Sequence, residues 1–464
     1  MFFHINKFSW ARRHLSMTEH ARDFITKPWS GGVVLLVCVI IAMALANMEW
    51  SAHIYHQILT TDISVMIHTL DNSVNLLFPQ DMNVEKLVND GLMVLFFFVV
   101  GLEIKREVLH GELSSPRKAI LPILAALGGM LVPAFIYMFV NHGMAVEQGW
   151  GIPMATDIAF AIGILSMLGD RVPTSLKIFL TALAIADDLG AIIVIAIFYG
   201  GSVDLFALFL AFVIMAFIAF MNRMGERSMI SYMIPAVVVW TLFYYSGVHA
   251  TMSGVVMALL IPTKARFNKA YFLRQADELE HRIVTAAYEK GETGEEHFYD
   301  HLREMKRLTR GTVPMSAQLE HALAPYITFI VMPIFAIVNG GVAISSEHLD
   351  IFNFVSGVGS IGLGIFFGLV VGKPVGIFIM SYLAIKLKLA TMPSKATWAM
   401  LFAVACLGGI GFTMSIFVDT LAFKSVSMDF VNQGKIAILA GSLAAALLGV
   451  ALIMLFSKRE SVEK

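Results

Sequence analysis

From Ile178 to Gly200 the chain reads IFLTALAIADDLGAIIVIAIFYG, 23 residues in which two adjacent acids, Asp187 and Asp188, interrupt an otherwise apolar run. A helix of that length crosses the roughly 30 Å hydrocarbon core of a bilayer. The two acids are its tenth and eleventh residues, so they lie near mid-depth. An ionised side chain there costs about 2.5–3.5 kcal/mol on insertion scales and marks function. The rest of the chain has the same character. It is 58% hydrophobic and 14% charged, against roughly one-quarter charged in soluble domains, and its mean hydropathy is +0.76. Its apolar blocks are about 20 residues long, not the ten-residue alternating stretches of a barrel. The sequence therefore predicts an all-α polytopic membrane protein.

Working outward, twelve spanning segments are expected at 31–48, 88–104, 119–140, 148–168, 178–200, 203–221, 229–245, 247–262, 322–343, 355–385, 397–418 and 434–456. Placing both termini and every second loop in the cytoplasm puts 29 of the 33 Lys and Arg there. Only Lys86, Lys424 and Lys435 fall outside, and Lys373 stays within a span. That asymmetry follows the positive-inside rule. The uncharged stretch 229–262 has Arg223 and Arg227 before it and Lys264 and Arg266 after it, so it reads as a hairpin turning at Ser246-Gly247.

This divides the chain into a cytoplasmic arm (1–30), segments one to eight (31–262), a charged cytoplasmic insertion (263–321), segments nine to twelve (322–456) and a cytoplasmic tail (457–464). The arm followed by Val33 to Met43 resembles a signal peptide. However, about 30 polar residues precede the apolar run, which reads as the first span. The outer loop 49–86 carries five acids and reads as a β-hairpin or short helix. The insertion carries ten acidic and ten basic residues, with helical spacing around 272–290 and 295–308. It reads as a solvated helical domain or a regulatory one. Net charge is −1, which gives no basis for a nucleic-acid partner. Cys38 and Cys406 both lie inside apolar segments, and no Cys/His spacing suggests a resident metal or cofactor.

Four ionisable residues fall within spans: Asp157, Asp187, Asp188 and Lys373. One acid and the lysine could be a structural ion pair. Three acids against one lysine leave surplus negative charge, which a cation or protons must complete. Adjacent helix residues point about 100° apart, so one aspartate can pair with Lys373 while the other faces a watery cavity. Two like charges this close cannot both ionise freely. A site that takes either a proton or a hard cation on the same oxygens exchanges one for the other by competition.

Segment four contains Gly151, Pro153 and Ala155-Thr156-Asp157, and segment eleven contains Gly408-Gly409-Ile410-Gly411. The interruptions occupy corresponding places in two three-helix units, segments 3–5 and 10–12, of opposite orientation. This is the inverted-repeat plan of secondary transporters, with segments four and eleven unwound and crossing at the midplane. Asp157 would then offset the positive half-helix ends and Lys373 the negative ones. Two other functions deserve weight: a cation-coupled symporter of an organic solute, and an intramembrane aspartyl protease. No arginine lies within a span to anchor a solute, and no span contains the Gly-x-Gly-Asp or Tyr-Asp of such proteases.

Six strings carry a resemblance: Val100-Gly101-Leu102-Glu103-Ile104-Lys105-Arg106-Glu107, Ala155 to Ala161, Ala184 to Ala191, Ser246-Gly247-Val248-His249-Ala250-Thr251, Gly372-Lys373-Pro374 and Gly408 to Phe417. Together they resemble the NhaA family of Na+/H+ antiporters, in order, from about residue 28 to 456. The resemblance implies an antiporter, not an enzyme, in a bacterial inner membrane, exchanging two protons for one sodium or lithium. It implies Asp188 as principal ion ligand, Asp187 as second titrating acid and partner of Lys373, and Thr156 and Asp157 at the crossing. It further implies a homodimer formed through 49–86 and no cofactor. PH-responsive or ion-entry positions are implied at Asp90, Glu103, Glu107, His249, Glu320 and His321. From the residues alone, Glu103 and Glu107 could equally be a solvated helix end, and His249 a cap or packing group. Two departures bear on the pH profile: the family's Glu-His-x-x-His is here Glu320-His321-Ala322-Leu323-Ala324, and the loop before it is longer.

Overall fold

An apolar run in hydrocarbon has no water to satisfy its amides, so each run closes its own backbone bonds as a helix. The computed structural model describes Lys27 and residues 29–63, 66–68, 73–75, 82–200, 203–288, 292–344, 352, 358–423 and 426–462. Among these the helices are α1 (Ser30–Asn47), α2 (Glu49–Thr60), α3 (Val84–His110), α4 (Pro116–Asn141), α5 (Ile158–Met167), α6 (Thr174–Phe198), α7 (Leu205–Met224), α8 (Met229–Tyr245) and α9 (Thr251–Leu260). They continue as α10 (Lys269–Tyr288), α11 (Glu292–Thr312), α12 (Met315–Gly340), α13 (Ile361–Lys386), α14 (Trp398–Gly408), α15 (Phe412–Phe423) and α16 (Met428–Val462). A 3-10 helix, Glu147–Met154, precedes α5. Strands β1 (Met66–His68) and β2 (Ser73–Asn75) form an antiparallel pair with Ile67 opposite Val74.

Among the described residues nine helices are long and apolar enough to cross a membrane, and α14 with α15, bent by 45°, qualifies as a tenth. Helices α8 and α9 are apolar but shorter, separated by a turn at Gly247 with φ +76°.

The element ends differ from the sequence expectations where polar residues continue a helix. The span expected at 434–456 begins at Met428, so Lys435 lies about two turns inside α16 and is buried. The span expected to stop at 418 runs on to Phe423 and buries Asp419 completely. The span expected at 322–343 begins at Met315, and that at 355–385 begins at Ile361. Hydropathy marks where a helix can meet lipid, whereas backbone bonding continues wherever tertiary packing covers the polar residue. All of the expected arm 1–30 before Lys27 lies outside the described residues, as do Lys424 and much of 64–81.

The described chain divides into two compact units. The first holds Met1–Met93, Glu107–Gly200 and Pro325–Lys464. Its closest helix pair is α4 with α13: a Cβ on Gly128 would lie 2.2 Å from the Gly376 carbonyl oxygen. Backbone therefore rests on backbone, as small residues allow between membrane helices. Helix α2 is tied to α12 by Tyr55, whose hydroxyl donates to the Ile337 carbonyl at 2.6 Å. Burial pushes the Tyr55 phenol up to about 12, so it remains a donor across the physiological range.

The second unit holds Val94–Arg106 and Gly201–Ala324. Phe98, Leu102, Ile218, Tyr232, Val239, Ala258 and Leu319 form its core. Helices α10 and α11 pair along their length and bury Leu279, Ala286 and Leu308.

Candidate functional site

The site lies wholly in the first unit and begins with two interrupted helices. Between Met154 and Ile158 the backbone is extended, and between Gly408 and Phe412 it is again non-helical. The two interruptions bond each other: Asp157 N–H donates to the Ile410 carbonyl at 2.7 Å. Interrupted backbone at membrane depth is tolerated only where protein buries it and re-satisfies its polar groups.

Asp157 does most of that re-satisfying. Its Oδ1 accepts from the Phe160 N–H at 3.1 Å and so caps α5. Its Oδ2 accepts from the Thr413 N–H at 3.1 Å and from the Thr413 hydroxyl, so it also caps α15. One carboxylate therefore serves two helix N-termini, where orphan amides and the positive end of the helix dipole favour an anion.

Lys373 occupies the opposite pole. It follows directly on a π-helical stretch, Gly368–Gly372, a distortion that shifts a side chain out of regular helical register. Its Nζ lies 2.7 Å from Asp187 Oδ2 and also donates to the Met154 carbonyl at the end of the 3-10 helix. The Thr156 hydroxyl sits 2.6 Å from Asp187 Oδ2 and 3.0 Å from the Gly408 carbonyl. It has one proton, so it donates to one of them at a time.

Asp157, Asp187 and Asp188 are each 1% exposed and Lys373 is 0% exposed. The second oxygen of Asp187 and both oxygens of Asp188 are buried and receive no hydrogen bond among the described residues. Asp188 interacts instead electrostatically, with Lys373. The balance is three buried carboxylates against one buried ammonium. Such a set can hold a monovalent cation or protons, because excess negative charge in low dielectric must be neutralised.

Thr156, Asp157, Asp187, Asp188 and Lys373 are thus brought together. The other sequence-derived positions lie elsewhere. Asp90 is half-buried in a π-helical stretch, Leu87–Leu92, of the first unit. Glu107, also there, accepts the Glu112 N–H at 3.0 Å. In the second unit, Glu103 lies 3.6 Å from Arg106, and Arg106 pairs with Glu320. His249 sits half-buried in the α8–α9 turn, and His321 is exposed.

Sequence reasoning did not single out four polar residues that the structure engages or buries. Thr413 completes the Asp157 cap. Lys105 donates to the Leu259 and Ile261 carbonyls at 2.6 Å each, closing the C-terminus of α9. Asp419 and Lys435 are charged residues buried in the first unit. An acid and a lysine sixteen positions apart around a polar loop carry no signal that both are buried.

A family model described as "Na+/H+ antiporter 1" matches residues 22–453. The chain belongs to the NhaA family of Na+/H+ antiporters. The Na(+)/H(+) antiporter NhaA of Rhodopirellula baltica is 40% identical over 425 residues, covering 92% of this chain and 91% of its own length. Those of Shigella dysenteriae and Escherichia coli are 39% and 40% identical over 433 residues, covering 93% of this chain and 97% of theirs. NhaA is a transporter family, so the buried acids belong to a membrane antiporter and not to a hydrolytic centre.

Proposed function

We propose that this protein exports sodium, and lithium, in exchange for external protons at Asp188 and Asp187. The observation that carries the proposal is the charge balance of three fully buried carboxylates against one lysine, at the meeting of two interrupted helices. Asp188 is the principal ligand of the ion. Asp187 alternates between Lys373 and the ion, and its open oxygen points the competition at a single site. Protons and sodium contend for the same oxygens, so binding one releases the other and no separate coupling device is needed.

The stoichiometry is two protons for one sodium, which moves one net charge inward per cycle. That charge is worth about 2.3 kcal/mol per 100 mV of membrane potential, so an inside-negative membrane drives sodium out without a pH gradient. The chain makes twelve passes, counting α8, α9 and the bent α14–α15 pair, with both termini in the cytoplasm of a bacterial inner membrane. Segments 3–5 and 10–12 form inverted repeats whose broken members cross near the midplane. Two copies associate through the outer loop 49–86. Asp90, Glu103, Glu107, His249, Glu320 and His321 set the pH response.

The test is sodium-dependent proton movement in proteoliposomes containing the purified full chain and no organic solute. Exchange that accelerates with an imposed inside-negative potential is expected. No sodium-coupled proton movement would overturn the function, and exchange indifferent to potential would overturn its electrogenic form.

A further inference from the structure

Asp419 and Lys435 take no part in the site described above, yet burying them needs an explanation. Asp419 lies on α15, six residues beyond Thr413, or about 9 Å along the helix. It is 0% exposed, and neither carboxylate oxygen receives a hydrogen bond among the described residues. Gly434 of α16 packs directly on it: a Cβ there would lie 2.0 Å from Asp419 Oδ1. Only a bare Cα permits the carboxylate to sit there. The next residue is Lys435, 6% exposed, whose charge acts on Asp419.

The remaining titratable groups that sense Asp419 are the phenols of Tyr137 and Tyr199. Both are committed elsewhere: Tyr137 donates to the Val146 carbonyl at 2.8 Å and Tyr199 to the Gln148 carbonyl at 2.8 Å. The 3-10 helix Glu147–Met154 also packs against α15. Its one acid, Glu147, bonds His142 and the Gly143 N–H instead. Helix α12, the last neighbour, brings no titratable side chain from Met332 to Gly340.

A buried carboxylate with no donor on either oxygen is costly as a bare anion. It is relieved by Lys435 when charged and by a proton when neutral. Asp419 therefore has two states that differ by one proton: a carboxylate whose charge the nearby Lys435 ammonium offsets, and a neutral acid. A sodium ion fits less well, because Lys435 already supplies the positive charge. With Phe423 ending α15 and Met428 starting α16, the pair lies one to two turns from the ends leading into the 424–427 connection. In the orientation given under the proposed function, that connection is external.

We propose that Asp419, set against Lys435, is a proton-binding station on the outer side of the ion site, where incoming protons load before they reach the crossing. This rests on the exchange function above, which the test must separate from it. Reconstituted full-length protein of known orientation is assayed with external pH varied at fixed internal pH, and then the reverse. Asp419→Asn is expected to need about tenfold more external protons for half-maximal exchange, the equivalent of one pKa unit. The sodium KM at the cytoplasmic face should stay within about twofold. Lys435→Gln should move the external profile toward higher pH, because the acid then keeps its proton without a competing ammonium. If Asp419→Asn does not fold, the double variant Asp419→Asn/Lys435→Gln leaves no unpaired charge and should show the same loss of external proton dependence. External profiles that match the unaltered protein in folded variants would overturn the station, leaving two buried charges with a structural role only. An unaltered protein that moves no protons with sodium would overturn the exchange function itself, a distinguishable result.

Discussion

Two acid–base pairs of this molecule are chemically alike and physically opposite. Asp187 and Lys373 are both fully buried, at 2.7 Å. Arg106 and Glu320 are also in contact, but the Arg106 side chain is 42% exposed and Glu320 10%. Water screens the second pair, so its net contribution is small whatever its geometry. Nothing screens the first, so each of its charges depends on the other for being there at all. Proximity is therefore a poor guide to the role of an ion pair here, and burial a good one. The same contrast separates Asp157, whose two oxygens are fully engaged by helix ends, from Asp187 beside it in the site, which keeps one oxygen open. The engaged acid holds the site's shape, and the one with an open oxygen has room to change state.

The sharpest break of this comparison is Asp188→Asn. An amide offers one neutral oxygen and does not titrate in the working range, so sodium-coupled proton movement should fall to the level of empty proteoliposomes. Substantial exchange by this variant would remove Asp188 from the centre of the mechanism. Next in size is the buried pair. Asp187→Asn or Lys373→Met alone strands a charge and should cost about 3–5 kcal/mol. The double change should recover much of that, with a coupling of about 2 kcal/mol in a cycle of thermal stabilities in detergent. Strictly additive losses would mean that the contact does not hold the pair in place.

Asp157→Ala tests the engaged acid. Losing both caps should cost about 2 kcal/mol of stability, and Thr413→Val, which deletes only the hydroxyl, about 1 kcal/mol. An Asp157→Ala protein as stable as the parent would show that the helix ends find other partners. Glu320→Gln should change stability by less than about 1 kcal/mol, with the difference vanishing in high salt, while moving the pH midpoint of exchange. A large salt-independent loss would mean that this pair behaves like the buried one. The smallest expected effect belongs to the insertion. Its buried Leu279, Ala286 and Leu308 lie on α10 and α11, so replacing residues 268–312 by a Gly/Ser linker should leave maximal sodium flux unchanged. Abolished flux in a folded, inserted protein would make the insertion part of the mechanism.

What the sequence alone determined was the solvent and the place of the main charges. Apolar runs of about 20 residues specify membrane helices because lipid leaves the backbone no other way to bond. Asp187 and Asp188 were legible because an acid in mid-span is too costly to be incidental. Gly409 and Gly411 signalled the interruption of segment eleven, as Pro153 did for segment four. Only tertiary structure decided which groups meet. That Asp157 caps α15 through Thr413, 256 positions away, is invisible to any local pattern. So is the burial of Asp419 and Lys435, which stand near helix ends where a sequence reading assigns charges to water. Periodicity and hydropathy report each residue's own preference for lipid or solvent, whereas a buried charge is permitted by what another helix brings to it.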